Sequence, residues 1–298
     1  MGVLVVSLRS RLLTGAVRLV RLRDTQFDPA RFRTRPAPDP RRYRPPGRLR
    51  RRVHMDQTIF DSWPVYTLTP AAVRGGHVLF LHGGAFAAEI QHAHWSFAAR
   101  LAERTGRIVT VPIYPLVPNA THLDVQPVLR RLFSTLARSD GTAVVGDSAG
   151  AALAVGLVAG LTQDDPRPDR VVLLSPLIDL TLTNPRIDQV APRDPLLRAD
   201  HLRELSQLYA GELGLSAPQV NPIDAPLNDL GPVEVFTGTR DLLNPDAHLF
   251  HDRANSETGT VVTVHEYPDL VHDWMLLPIP EAEDVLRTLT ELLTRTPS

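Results

Sequence analysis

The chain has 298 residues, 43% of them hydrophobic and 22% charged, enough for one large α/β unit or two smaller domains around a substantial core. It contains no cysteine, which excludes disulfide scaffolds, thiol nucleophiles and cysteine-held zinc or iron–sulfur sites. The formal net charge of −1 conceals a division: residues 1–54 hold fifteen arginines against three acids, the remainder is acidic, and no lysine is present for Schiff-base chemistry or a lysine-ended phosphate loop.

At the start of the chain, Val3 to Asp24 predicts a helix. Arg11, Arg18 and Arg21 share one side, and Leu8, Leu12, Leu13, Val17, Leu19 and Val20 gather on the other. The arginines are interleaved with apolar residues and no small-residue cleavage site follows, unlike a secretory signal. A cap helix docked on the body is expected; peripheral membrane contact through residues 1–54 is the alternative. Residues 29–54 carry Pro36, Pro38, Pro40, Pro45 and Pro46 among arginines, and should be extended linker, because proline removes donors and fixes φ. Phe32 and Tyr43 are too few aromatics for a nucleic-acid stacking platform, so no nucleic-acid partner is expected. Residues 1–55 thus read as a basic arm and 56–298 as the catalytic domain. No apolar stretch reaches the roughly 18 residues that a membrane-spanning helix needs.

Beyond the arm the pattern alternates. Predicted strands at Val65–Leu68, His77–Leu81, Arg107–Pro112, Thr142–Val145, Arg170–Leu174, Val233–Thr237 and Val261–Tyr267 interleave with predicted helices at His94–Arg104, Leu123–Ala137, Ala151–Leu161, Ala247–Ala254 and Glu281–Leu293. Near-continuous apolar strands joined by amphipathic helices specify an α/β class with a mostly parallel sheet flanked by helices. The interval from about 178 to 230 breaks the rhythm, with loops and one predicted helix, Leu197–Tyr209. It reads as a cap insertion over the end of the sheet.

The most informative run is Gly146-Asp147-Ser148-Ala149-Gly150, at the junction between a predicted strand and a small-residue helix. This is G-x-S-x-G in the strand–turn–helix setting of a nucleophile elbow, which lifts a serine hydroxyl to a helix N-terminus where negative charge is favoured. His82-Gly83-Gly84-Ala85-Phe86 follows the strand His77–Leu81. Backbone N–H groups of Gly83, Gly84 and Ala149 are expected to form an oxyanion hole. Serine needs a general base, and the base needs an orienting carboxylate. His272, in a short loop after the last strand, is the candidate base. Asp241, just past the strand Val233–Thr237, is the candidate acid, with Asp246 and Asp273 as runners-up. Asp246 is expected to serve a helix dipole, and Asp273 to point away from the base. His92/His94 and His248/His251 have spacings seen in zinc sites but lack a third ligand, so they read as solvated helix residues, and no metal or cofactor is expected. His82 should orient its glycine loop.

Together with Tyr114-Pro-Leu-Val-Pro118, Ser175-Pro-Leu-Ile-Asp179 and Asp194-Pro-Leu-Leu197, these motifs resemble the hormone-sensitive-lipase branch of the α/β-hydrolase carboxylesterases over residues 60–298. The resemblance implies an α/β-hydrolase fold with a helical cap and a Ser148–Asp241–His272 triad. It further implies a cytoplasmic serine esterase acting on short- to medium-chain acyl esters, and a family in which many members form homodimers. Two alternatives use the same scaffold: an arylformamidase-like amide hydrolase, against which Phe86 stands where that family usually has tryptophan, and a non-catalytic ligand-binding receptor, against which His272 argues. The chain departs from the family at Ala85, where a third glycine is usual. It departs again at Tyr114–Asn119, which lacks an Arg and a Glu of the family pattern, and after Asp241, where Leu-Leu-Asn-Pro-Asp246 puts local rigidity in question.

Overall fold

Valine- and leucine-rich runs build one eight-stranded sheet from β1 (Val53–Phe60), β2 (Trp63–Pro70), β3 (His77–Leu81), β4 (Ile108–Pro112), β5 (Thr142–Asp147), β6 (Arg170–Leu174), β7 (Gly231–Gly238) and β8 (Thr260–Tyr267). The structure is a computed structural model that describes residues 7, 10, 27–33, 40–137 and 141–294. The strands run in the order β1-β2-β4-β3-β5-β6-β7-β8. β1 and β2 pair antiparallel, β2 runs antiparallel to β4, and the other neighbours are parallel. The six longer helices are α1 (His92–Thr105), α2 (His122–Leu136), α3 (Ala149–Ala159), α4 (Ala199–Ala210), α5 (Asn244–Ala254) and α6 (Pro280–Thr294).

Strand periodicity explains the layering. Successive side chains point to opposite faces, and both faces of a parallel sheet are covered. Leu79, Leu81 and Val144 therefore enter a core with Leu129 of α2 and Leu153 of α3. Val78, Phe80 and Val145 enter a second core with Trp95 and Leu101 of α1 and Leu286 of α6. Burying each such side chain contributes about 1.5–3 kcal/mol, so the predicted apolar runs form because they can be covered on both sides.

Each of the seven predicted strands is present, within two residues of its expected bounds. β1 is additional. Its partner register closes at Phe60 opposite Trp63, across Asp61 and Ser62 at φ +45° and +70°, the geometry of a two-residue hairpin. The Pro/Arg tract differs from the expected extended linker. It forms short helical turns at Pro29–Arg31, Pro40–Tyr43 and Gly47–Arg51 and then enters β1 at Val53. The cause is burial: Tyr43 and Leu49 join the core beside α1. The predicted helix at Val3–Asp24 lies outside the described residues except at Ser7 and Ser10. Between β6 and β7 the chain carries α4, whose Leu202, Leu205 and Tyr209 join the α2/α3-side core. No helix among the described residues is long and apolar enough to cross a membrane.

Candidate active site

β5 ends at Asp147 and α3 begins at Ala149, so the whole reversal falls on Ser148, at φ +51° and ψ −117°. A non-glycine residue there stores roughly 1–3 kcal/mol of strain. The close approach needs glycine at position 150, where a Cβ would sit 2.0 Å from the Leu81 carbonyl oxygen. Ser148 N–H donates to Leu174 O at 2.8 Å, which anchors the strained residue to β6.

Ser148, Asp241 and His272 come from three separate connections and converge. His272 Nε2 lies 3.0 Å from Ser148 Oγ, and His272 Nδ1 lies 3.0 Å from Asp241 Oδ2. A carboxylate only accepts, so Nδ1 carries a proton, and in the neutral ring Nε2 presents its lone pair to the serine hydroxyl. Asp241 Oδ1 accepts Leu243 N–H at 2.9 Å, which orients the carboxylate. All three residues are buried. Burial alone disfavours the imidazolium, but the charges of Asp241 and Asp273, with their hydrogen bonds, outweigh it and hold His272 well above the usual histidine value.

The glycine loop differs from expectation at one position. Gly83 N–H donates to Asp147 Oδ2 at 2.9 Å, so it is engaged within the protein rather than open to a ligand oxygen. The next two residues, Gly84 and Ala85, have φ of +121° and +53°. Their N–H groups, and that of Ala149, have no acceptor among the described residues. The change follows from the buried Asp147 carboxylate, which takes the first donor of the loop. His82 does orient this loop: its Nδ1–H donates to Gly83 O at 2.7 Å, and its ring stacks on Tyr114 at 4.4 Å. Burial and the neighbouring His94 push His82 down to about 4, which keeps it neutral.

Two other expectations are corrected. His94 is a buried group rather than a solvated helix residue: its Nδ1 accepts Gln91 N–H at 2.9 Å, and its Nε2–H therefore donates to Asp147 Oδ2 at 3.2 Å. Asp273 does not point elsewhere, because its Oδ2 lies 3.1 Å from His272 Nε2. Its N–H donates to Ser175 Oγ at 3.0 Å, holding it at φ +50°. Asp246 is buried, accepts from Asn184 Nδ2 at 2.9 Å, and is pushed up to about 7 by burial and by the charge of Asp179. His248 and His251 remain partly exposed beside Glu266 and Asp252.

Asp194, from the connection between β6 and β7, also reaches the site. Its Oδ2 accepts Leu242 N–H at 2.7 Å and its Oδ1 accepts the N–H groups of Leu196 and Leu197 at 2.7 and 2.9 Å. Asp194 thereby fixes the loop that carries Asp241. Motif reading finds Asp147 and Asp194 as letters in a pattern but assigns them no work, since their partners lie 64 and 48 positions away.

Residues 78–276 match the family model described as the alpha/beta hydrolase fold. Among curated relatives, a triacylglycerol lipase of Mycobacterium tuberculosis is 34% identical over 225 residues, which takes in 74% of this chain and 47% of the lipase. This chain thus spans about half the length of that relative. An acetyl-hydrolase of Streptomyces hygroscopicus is 29% identical, with 69% of this chain and 70% of the relative covered. An esterase from the bacterial hormone-sensitive lipase family superposes with a TM-score of 0.79 at 23% identity, covering 98% of this chain and 99% of that one, which speaks to the fold.

Proposed function

The chain belongs to the α/β-hydrolase family, and from that premise we propose that it is a serine carboxylesterase of the hormone-sensitive-lipase-like branch that cleaves short- to medium-chain acyl esters through an acyl-enzyme. The observation that carries the reading is the His272 imidazole, whose two nitrogens each stand 3.0 Å from a partner, Ser148 Oγ on one side and Asp241 Oδ2 on the other. The names of relatives, triacylglycerol lipase, acetyl-hydrolase and esterase, support an ester as the substrate class.

In this reading Ser148 Oγ attacks the ester carbonyl while His272 Nε2 takes its proton, and Asp241 stabilises the imidazolium. Negative charge on the carbonyl oxygen is met by the N–H groups of Gly84, Ala85 and Ala149 at the N-terminus of α3. His272 returns the proton to the departing alkoxide, which leaves as the alcohol. Water, deprotonated by His272, then cleaves the acyl-Ser148 ester and releases the acid.

The test is turnover of p-nitrophenyl acetate, butyrate and octanoate by wild type and Ser148→Ala. A loss of at least about 10³-fold is expected with an unchanged circular dichroism spectrum. Equal rates for both proteins would overturn the reading. The chain-length series identifies the preferred acyl group, and a matched series of anilides measures the discrimination against amides.

A further inference from the structure

The proton-transferring nitrogen of His272 has two neighbours rather than one. Asp273 Oδ2 stands 3.1 Å from Nε2, almost the same distance as Ser148 Oγ at 3.0 Å. The carboxylate is held in place from behind. Its backbone is left-handed at φ +50°, its N–H donates to Ser175 Oγ, and Ser175 is itself left-handed at φ +42°, with its N–H on Phe236 O at 2.8 Å. The other oxygen, Oδ1, is buried without a hydrogen-bond partner among the described residues.

We propose that Asp273 is a second carboxylate on the catalytic imidazole, competing with Ser148 for the Nε2 proton and setting the pH at which His272 becomes a free base. This rests on the serine-hydrolase reading above. At low pH the ring carries protons on both nitrogens, with Nε2–H donated to Asp273 and Nδ1–H to Asp241, and it cannot accept from Ser148. Loss of the Nε2 proton to solvent leaves the lone pair facing the serine hydroxyl. When Ser148 attacks, its proton moves to Nε2 and the imidazolium is again flanked by Asp241 and Asp273. The carboxylate therefore stabilises the idle form at low pH and the charged ring in the transition state at high pH. Both follow from one attraction between opposite charges at short range.

Other charged groups face this pair from each surrounding element. Asp241 comes from the connection after β7, Asp194 from the connection between β6 and β7, Asp147 from the end of β5 and His94 from α1. For Asp273, burial raises the carboxyl most and the charge of Asp147 adds to it, while His272 and His94 oppose the rise. Of these groups, Asp273 is the one at contact distance from Nε2.

Removing the charge should move two quantities in opposite directions. In Asp273→Asn the acid limb of kcat/KM shifts to lower pH by about one unit, and the plateau at high pH falls severalfold, because a weaker base removes the serine proton less effectively. The two pH profiles therefore cross. Asp273→Ala should show the same limb shift, which separates charge from shape, and Asp273→Glu should restore part of it.

A second readout does not depend on turnover: the His272 ring titration followed by NMR in the full chain, with His272→Gln supplying the assignment. The titration midpoint should fall by the same unit in Asp273→Asn. A midpoint and an acid limb that stay within 0.2 pH unit of wild type (about 0.3 kcal/mol) in both the Asn and Ala variants would overturn the proposal. Failure of the hydrolase reading is separate, since it appears as the absence of any Ser148-dependent rate, whereas the ring titrates regardless.

Discussion

A methyl group at position 83 would fall 2.2 Å from Asp147 Oδ2 and 2.9 Å from the Asp147 carbonyl oxygen. That carboxylate oxygen cannot retreat freely, because it also accepts from His94 Nε2. Gly83 is thus demanded by the closeness of a buried acid, and its N–H is part of the loop's scaffold. Gly83→Ala should displace the loop and with it the donors of Gly84 and Ala85. We expect kcat to fall at least about tenfold and stability to fall by about 1–3 kcal/mol, the usual cost of forced overpacking. Ester kinetics and a urea titration of the same sample check both. Residues with a local signal, such as Ser148 between its glycines, are readable one position at a time. The Gly83–Asp147 contact is not, because a donor's availability depends on which acceptor the rest of the chain brings within 3 Å.

Among the elements, the connection from β6 to β7 reaches the site directly. Its Asp194 accepts three backbone N–H groups, one of them from the loop after Asp241. Burial, followed by the charge of Asp241, pushes the Asp194 carboxyl up, opposed by His272 and by the bonds from Leu196 and Leu242. Asp194 holds the stretch after Asp241 from another element through the Leu242 N–H. Asp194→Ala leaves the Leu242 N–H buried without an acceptor, which costs about 1–3 kcal/mol. The expected outcome is a lower melting temperature together with a kcat reduced about tenfold or more and a KM changed little. Thermal melts and steady-state kinetics measure them. The strands β3 to β7 are legible because double-sided burial demands continuous apolar runs, and the edge strand β8, with Val261 and Thr263 exposed, is legible through its β-branched Val-Val-Thr-Val run. β1 is not: Asp56, Gln57, Thr58 and Ile59 are exposed, and an edge strand with one covered face carries a weaker pattern.

At the scale of the molecule, the basic arm and the acidic body meet in several places. Arg33 pairs with Glu204 on α4 and Arg52 with Glu103 on α1, exposed pairs that contribute little individually. The more specific attachment is at the start of α6. Ser7 N–H and Ser10 Oγ both donate to the Glu281 carboxylate at 2.6 Å, and Ser7 Oγ donates at 3.1 Å. Burial opposes ionisation of Glu281, but the hydrogen bonds from Ser10 and Ser7 prevail and keep its carboxyl below the usual range. Glu281→Ala should release this attachment. Trypsin, which cleaves after arginine, should then cut within residues 1–54 at least several times faster than in wild type, while the body stays intact on a gel. An unchanged digestion pattern would show that the apolar contacts of Phe27, Phe32, Tyr43 and Leu49 hold the arm without it.

From residue order alone came the α/β class, the strand-and-helix alternation, the elbow serine and the three triad candidates, because periodicity, turn chemistry and motif order are local properties of a chain. Distances between distant segments are not local. The engagement of Gly83, the burial of His94 and the clamp from Asp194 depend on packing that brings together residues tens of positions apart, and the approach of Asp273 to the adjacent imidazole depends on Ser175, 98 positions away, which accepts its N–H. A buried polar atom takes whichever partner the folded core leaves within reach.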